Sequence, residues 1–248
     1  MRSPSGGRHE LGQNFLHDRG TIGRILHLVD QTSGPVLEIG CGRGALTRPL
    51  AELGRPLLAI DIDPRCVQAT KRSAPGAQVM HLDALRVRLD RPVVVGNLPF
   101  HLTTPILRRL LSSSGWTDAV LLLQWEVARK RAGVGGRTML TAQTDPWFTV
   151  RLDRRVPAEA FRPRPSVDGG ILTIRRRADP LLPADRRRDY ERFVKTVFTA
   201  RGRGLAAMLR SAGAPCPDRL LRELGVGPRD LPRDLSPEQW AGLFARRT

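Results

Sequence analysis

Short apolar runs alternate along the chain with longer amphipathic segments. Five of these runs, at residues 36–39, 57–61, 78–82, 93–96 and 119–123, lack internal polar alternation, as is typical of strands covered on both faces of a sheet. Candidate helices lie between them, for example at residues 45–53 and 105–111. Because strands that alternate with helices indicate βαβ units, the pattern predicts an α/β fold with a mostly parallel sheet.

The pattern changes in the second half of the chain. Apolar runs at residues 150–156 and 171–175 predict a closing antiparallel hairpin, and the arginine- and proline-rich stretch at 175–183 predicts a linker. Four short amphipathic segments then follow at residues 190–198, 204–212, 217–224 and 237–245. We therefore expect a catalytic domain over residues 1–178 and a small helical accessory domain over residues 179–248.

Charge adds a partner class to this picture. The chain has 41 basic against 24 acidic residues, for a net charge of +17, and all but three of the basic residues are arginine. Arginine pairs with phosphate oxygens and stacks on bases, so we expect a nucleic-acid partner. Three scattered cysteines, five scattered histidines and the lack of long apolar segments predict a cytoplasmic protein with no membrane span and no metal site.

A glycine-rich motif, LEIGCGRG at residues 37–44, follows the first predicted strand and opens a helix. Glycines at such a turn let the backbone approach a ligand closely. Gly40, Gly42 and Ala45 also fit the dinucleotide fingerprint, so an NAD-dependent oxidoreductase is an alternative. Glu38 would repel a pyrophosphate but can bind a cationic amino-acid group, and Gly44 adds a third glycine. The motif therefore favours a methyltransferase.

Acidic residues follow the next two strands. Asp61 comes at the end of one strand, where a carboxylate can accept hydrogen bonds from ribose hydroxyls. Asp83 follows the next strand and could bind the amino group of an adenine. An aspartate in such a place can instead merely cap a helix. Asp63, directly before Pro64, is the better candidate for a cap.

The segment GNLPF at residues 96–100 carries the candidate chemistry. An adenine N6 amine is a poor nucleophile because its lone pair is delocalised into the ring. Two acceptors, the Asn97 Oδ1 and the Leu98 carbonyl, could bind its two hydrogens and free that lone pair. Pro99 restricts Leu98 to extended geometry, and Phe100 offers a face on which a flipped base can stack. The alternative, a strand-ending Asn-X-Pro turn without catalytic function, is common in unrelated proteins.

Together with GQNFL at residues 12–16, QWE at 124–126, ARKR at 128–131 and FRPRPSVD at 161–168, these motifs resemble the rRNA adenine N6-methyltransferases. That superfamily includes both the Erm resistance enzymes and the KsgA-type dimethyladenosine transferases. The QWE and ARKR sequences are similar to those of actinomycete Erm proteins. The resemblance is strong over roughly residues 10–177 and looser beyond. It implies a Rossmann-like class I methyltransferase domain.

The resemblance also implies a set of site residues. Asp61 would hold the ribose of S-adenosyl-L-methionine, Asp83 its adenine, and Asn97 both its methionyl end and the target base. The complete set of implied cofactor-binding residues is Gln13, Asn14, Leu16, Gly40, Gly42, Asp61, Asp83 and Asn97. Many relatives carry glutamate in place of Asp61, and Leu98 and Phe100 replace the commoner Ile and Tyr.

The implied substrate is one adenine of 23S rRNA, modified before full ribosome assembly and without an obligate protein partner. Methylation there blocks macrolides, lincosamides and streptogramin B. We expect phosphate contacts from exposed arginines and a cleft between the two predicted domains that holds an rRNA stem. The candidate RNA-binding residues are Arg108, Arg109, Arg129, Arg131, Arg162 and Arg164.

Besides the NAD-dependent enzyme, two alternatives stay open. One is KsgA-like dimethylation of small-subunit rRNA adenines, which is the same chemistry on another target. The other is a non-catalytic RNA-binding protein that has kept the fold, although the intact NLPF segment argues against it. The sequence leaves open whether one or two methyl groups are added.

Overall fold

The computed structural model describes residues 13–246, and the chain divides into two compact units. Of the described residues, the first unit comprises 13–128 together with 151–175. The second comprises 129–150 and 176–246. Within residues 13–246, every helix is too short or too polar to cross a lipid bilayer.

Within residues 13–246, nine strands form two sheets. Their bounds are β1 Phe15–Leu16, β2 Val36–Ile39, β3 Leu57–Asp61, β4 Gln78–His81, β5 Val93–Asn97, β6 Asp118–Gln124, β7 Phe148–Val156, β8 Phe161–Arg162 and β9 Gly169–Arg176. Seven strands form one sheet in the order β4-β3-β2-β5-β6-β9-β7, while β1 and β8 pair as a separate antiparallel ribbon. The five predicted parallel strands are confirmed, two of them to the residue.

Strands β2 to β6 are parallel to one another, whereas β9 is antiparallel to its neighbour β6. After β2 the chain adds β3 and β4 on one side, and it then returns to add β5 and β6 on the other. This reversal places a topological switch point between β2 and β5, where ligands bind outside the carboxyl ends of the strands. The arrangement confirms the predicted Rossmann-like α/β class.

The two central strands, β2 and β5, are in close contact at a glycine of β5. A Cβ on Gly96 in β5 would lie 2.5 Å from the Ile39 carbonyl oxygen in β2. Around it, the side chains of Leu37, Val94 and Leu121 are fully buried, as expected for strands covered on both faces. The core therefore fixes the position of the β2 and β5 carboxyl ends relative to each other.

Ten α-helices accompany the strands in the described part of the chain: α1 Arg19–Asp30, α2 Thr47–Ala51, α3 Pro64–Ser73, α4 Thr103–Ser112, α5 Trp125–Arg131, α6 Met139–Thr144, α7 Arg187–Thr199, α8 Leu205–Ser211, α9 Pro217–Glu223 and α10 Pro237–Ala245. Helix α3 begins where predicted, since Asp63 Oδ1 accepts a hydrogen bond of 2.8 Å from Arg65 N. Helix α2 is shorter than the predicted 45–53, because the glycine turns extend to residue 46.

The second unit is built around the single tyrosine of the chain. The Tyr190 hydroxyl in α7 donates a 2.8 Å hydrogen bond to the Ala142 carbonyl in α6, and Gln143 Nε2 donates to the Glu191 carbonyl at 2.9 Å. These bonds tie residues 129–150 to the C-terminal helices. The division therefore differs from the predicted boundary at residue 178, which placed that whole segment in the first domain.

The predicted basic linker is also structured differently. Arg175 and Arg176 complete strand β9, and Arg175 pairs with Asp118 at 2.8 Å. Arg177 Nε donates to the Asp145 carbonyl at 3.0 Å. These arginines make contacts within their own units, and the chain passes from the first unit to the second inside strand β9, between residues 175 and 176.

Candidate active site

A cavity of about 310 Å³ in the first unit opens at the carboxyl ends of β2, β3 and β5. Its volume lies at the lower end of the range for small-molecule sites. The cavity is lined by every predicted cofactor-binding residue and every predicted catalytic residue: Gln13, Asn14, Leu16, Gly40, Gly42, Asp61, Asp83, Asn97, Leu98, Pro99 and Phe100. The parallel strands bring together four separate sequence segments, which hold the glycine loop, Asp61, Asp83 and the turn at residues 97–100.

The glycine loop forms one wall of this cavity. Gly40, Gly42 and Gly44 have φ values of +76°, +54° and +83°, in the left-handed region that other residues rarely adopt. The loop is tied down on both sides, because Gly40 N donates to the Ile60 carbonyl at 2.9 Å and Thr70 Oγ1 donates to the Gly42 carbonyl at 2.9 Å. The loop is therefore a rigid wall.

Asp61 lies in this wall, and its carboxylate is already used by the backbone. Its Oδ2 accepts a 2.8 Å hydrogen bond from Gly42 N, and its Oδ1 accepts a 2.9 Å bond from Asp63 N. Burial raises the pKa of Asp61, while these two backbone amides oppose that rise. A ribose could use only the remaining lone pairs of the two oxygens. The expected ribose contact stays a prediction, and the observed contacts brace the glycine loop.

Glu38 at the end of β2 has the opposite environment. The residue is 1 % exposed, and its Oε2 has no hydrogen-bond partner among residues 13–246. Burial raises the pKa of Glu38 to about 7, while the hydroxyl of Thr47 opposes that rise. Because an unpaired buried carboxyl oxygen is costly, the Oε2 beside the cavity is suited to a polar or cationic group of a ligand.

Asn97 ends β5 directly opposite the N-terminal segment. Its Nδ2 donates a 2.8 Å hydrogen bond to the Asn14 carbonyl, which leaves the Oδ1 without a hydrogen-bond partner among residues 13–246. Gly40 lies close by, since a Cβ there would be 3.4 Å from the Asn97 carbonyl. The amide of Asn97 is thus fixed by one hydrogen bond beside the glycine loop.

The next two residues divide their backbone groups between structure and cavity. Leu98 N donates to the Leu122 carbonyl at 2.9 Å, and the Pro99 carbonyl accepts hydrogen bonds from Leu102 N and Thr103 Oγ1. Within residues 13–246 the Leu98 carbonyl has no hydrogen-bond partner. The turn therefore leaves two acceptors, the Asn97 Oδ1 and the Leu98 carbonyl, with lone pairs available, and Phe100 follows at the cavity wall.

Asp83 also lines the cavity, and its Oδ1 accepts a 2.8 Å hydrogen bond from Leu85 N. Several residues that the sequence analysis did not assign line the cavity as well: Phe15, His17, Arg43 and His101. Phe15 was hard to find because its strand has two residues. Its pairing with β8 depends on a segment about 145 residues further along the chain.

The candidate RNA-binding arginines do not form one group. Only Arg162 lines the cavity, and its side chain is exposed. Arg164 pairs with Glu159 at 2.6 Å. The half-buried guanidinium of Arg109 donates to the Val87 carbonyl, and its expected RNA contact stays a prediction. Arg131 Nη1 donates to Thr138 Oγ1 at 3.1 Å. Arg108 is exposed and Arg129 is half-buried.

Comparison with known proteins places this geometry in a family. A sequence profile described as "Ribosomal RNA adenine dimethylase" matches residues 5–247. An rRNA adenine N-6-methyltransferase of Corynebacterium diphtheriae is 56 % identical over 84 % of this chain and 83 % of its own length. The mycinamicin-resistance protein MyrB of Micromonospora griseorubida is 51 % identical over 96 % and 78 %, respectively.

A solved structure agrees with the sequence relatives. The crystal structure of the 23S rRNA methyltransferase ErmE superposes with a TM-score of 0.86 and 34 % identity, covering 94 % of this chain and 99 % of that one. These matches overturn the NAD-dependent alternative, since the glycine loop is that of a methyltransferase. The glycine loop, the Asn97 turn and these similarities agree, and the chain belongs to the ribosomal RNA adenine dimethylase family as an rRNA adenine N6-methyltransferase.

Proposed function

We propose that the protein transfers methyl groups from S-adenosyl-L-methionine to the N6 amine of one adenine in 23S rRNA, and that this confers resistance to macrolides, lincosamides and streptogramin B. The observation that carries the proposal is the fixed amide of Asn97 between the glycine loop and Phe100. The names of two relatives, a mycinamicin-resistance protein and a 23S rRNA methyltransferase, support the choice of target.

The cavity fits S-adenosyl-L-methionine by its chemistry. When bound, this molecule supplies an electrophilic methyl group on a positively charged sulfonium. The unpaired, buried Glu38 Oε2 is suited to a cationic amino-acid group, and the left-handed glycines leave room for close approach of a ligand. Asp83 at the far side would bind an adenine amino group, as predicted from the sequence. Asp61 would act on the ribose only through its remaining lone pairs.

The Asn97 turn would act on the target amine. Two acceptors aimed at its two hydrogens, the Asn97 Oδ1 and the Leu98 carbonyl, favour a more tetrahedral nitrogen and so localise its lone pair. These groups are positioned in advance, because Asn97 is held by Asn14 and Leu98 by the β6 backbone. Preorganised dipoles of this kind act without reorganisation during the reaction. Phe100 would stack on the base, which is worth about 1–3 kcal/mol.

The second unit would have an accessory role in RNA binding. The substrate would be rRNA that is not yet assembled into complete ribosomes. The second unit exposes several arginines that make no ion pair among residues 13–246, among them Arg188, Arg201 and Arg203. Exposed arginines contribute a salt-dependent, sequence-independent affinity for phosphates. The candidate contacts remain Arg108, Arg109, Arg162 and Arg164 of the first unit, and Arg129 and Arg131 of the second.

The test is methyl transfer from labelled S-adenosyl-L-methionine to deproteinised 23S and 16S rRNA, followed by primer extension. We expect modification of one 23S adenine, and growth of a macrolide-sensitive strain on the drug when it expresses the protein. Modification of 16S rRNA alone would identify a small-subunit enzyme instead. RNA binding without any methyl transfer would support the non-catalytic alternative. Mass spectrometry of the modified nucleoside would count the methyl groups.

A further inference from the structure

Charges at the cavity are separated by depth. The acidic groups Glu38 and Asp61 line the cavity and are buried. Arg43 and Arg162, which line the same cavity, are exposed at its rim. A cationic ligand group is thus favoured inside, whereas anions are favoured at the opening. The sequence predicts that Arg162 binds RNA and indicates no role for Arg43.

The fold brings these two arginines to the same aromatic residue. The guanidinium of Arg43 lies 4.8 Å from the centroid of the Phe15 ring, within cation–π range. Phe15 in β1 is the registered partner of Arg162 in β8. The two-residue ribbon therefore links the glycine loop, which carries Arg43, to the segment that carries Arg162.

Neither arginine has an acidic partner among residues 13–246, whereas nearby Arg164 pairs with Glu159. The ring face of Phe15 restrains Arg43 without neutralising its charge. A restrained, exposed and unpaired guanidinium is suited to bind a phosphate, because less side-chain freedom is lost when the contact forms.

We propose that Arg43 and Arg162 form a clamp for the RNA phosphodiester next to the adenosine whose base enters the cavity. This inference rests on the proposed function, and it assigns to Arg43 the task of holding the flipped nucleotide while Asn97 and Phe100 hold its base. Flipping costs unstacking energy, which backbone contacts near the flipped nucleotide can offset. The clamp would therefore act on RNA and leave binding of S-adenosyl-L-methionine unchanged.

The first experiment compares Arg43→Ala with Arg72→Ala under steady-state turnover of a 23S rRNA fragment. Arg72 lies in the last turn of α3, is exposed and does not line the cavity, so the two variants lose the same charge in different places. We expect the KM for RNA to rise roughly tenfold in Arg43→Ala and the salt dependence of binding to fall by about one phosphate contact. Arg72→Ala should resemble the wild type in KM, and calorimetry should show unchanged S-adenosyl-L-methionine affinity in both.

The second experiment locates the phosphate. A fragment with an uncharged methylphosphonate at the linkage beside the target adenosine should lose about as much activity with the wild type as normal RNA loses with Arg43→Ala. Combining the two changes should cost little more than either alone. Additive losses, or an effect of Arg43→Ala on S-adenosyl-L-methionine affinity alone, would refute the clamp. Wild-type protein without turnover on any rRNA would refute the substrate assignment and the clamp with it.

Discussion

Two buried carboxyl groups, one in each unit, differ in how the fold treats them. In the second unit, Asp145 is 6 % exposed and accepts a 2.7 Å hydrogen bond from Arg137 Nε, and burial is the main cause that raises its pKa. In the first unit, Glu38 is more deeply buried, yet its Oε2 has no partner within the described residues. One carboxyl group is paired by its own unit, and the other lies beside a cavity.

The difference between Asp145 and Glu38 distinguishes a carboxyl group that stabilises the fold from one placed for function. A buried polar group that is fully paired holds a fold together, whereas one left unpaired costs stability and is retained where a ligand supplies its partner. The second unit combines its pair with aromatic packing, in which the ring centroids of Tyr190 and Phe244 lie 5.3 Å apart. The first unit instead concentrates left-handed glycines and available acceptors at one edge of its sheet. Substitutions in the two places should accordingly affect different measurements.

The largest effect should follow from Asn97→Ala. The change removes an acceptor for the target amine and the hydrogen bond to Asn14, so turnover should fall at least about a thousandfold, or roughly 4 kcal/mol. RNA affinity and the melting temperature should change little. Gln68→Ala, which removes an exposed amide on α3, is the matched control. Near-normal single-turnover rates in Asn97→Ala would remove this residue from the mechanism.

The next largest effect should be the pH dependence of stability at Glu38. Its folded-state pKa of about 7 lies above the ordinary value of 4.5, so the folded form holds its proton more tightly than the unfolded form. As far as Glu38 is concerned, the free energy of unfolding therefore has its full value below pH 4.5. It falls by about 3 kcal/mol as the pH rises to about 7.

The substitution Glu38→Gln should remove that loss. Without ligand, the variant should gain about 3 kcal/mol relative to the wild type between pH 4 and pH 8, measured by urea unfolding. Glu52→Gln, at an exposed position, should show no such gain. Parallel pH curves for Glu38→Gln and the wild type would contradict an unpaired carboxyl group beside the cavity.

A smaller effect, of opposite sign, is expected in the second unit. Asp145→Asn leaves Arg137 partly buried without its counter-charge and should destabilise the protein by about 2 kcal/mol at pH 7. Asp218→Asn breaks the exposed ion pair with Arg210 and should change stability very little. Urea unfolding of the three proteins measures both values. Equal effects of the two substitutions would show that burial of the pair is unimportant.

The smallest effect should come from Tyr190→Phe. It keeps the ring in its aromatic contacts and removes only the hydroxyl that donates to the Ala142 carbonyl, at a cost of about 1 kcal/mol. Calorimetric titration should show unchanged affinity for S-adenosyl-L-methionine, because the cavity lies in the first unit. A loss of ligand affinity comparable to the loss of stability would weaken the separation between the two regions.

Much of the fold could be predicted because apolar runs and turn residues act locally. The strands at 36–39 and 57–61 match the structure exactly, and the helix over Pro237–Ala245 does as well. Helix α1 was missed even though Asp18 caps it, with its carboxylate 2.7 Å from Thr21 N. The sequence places segment 129–150 in the first domain, whereas the structure groups it with the second unit. Contacts between distant segments, such as that of Tyr190 with Ala142, decide which unit it joins.

The sequence by itself determined the class of the protein. The parallel α/β pattern, the glycine loop and the NLPF segment are local features, and their chemistry can be inferred from residue types alone. Only the tertiary structure decided how those groups are used. It paired both oxygens of Asp61 with backbone amides, left the Oε2 of Glu38 without a hydrogen-bond partner among residues 13–246, and joined Arg43 to Arg162 through Phe15. Such assignments depend on distances between segments far apart in the chain, and residue order alone does not fix those distances.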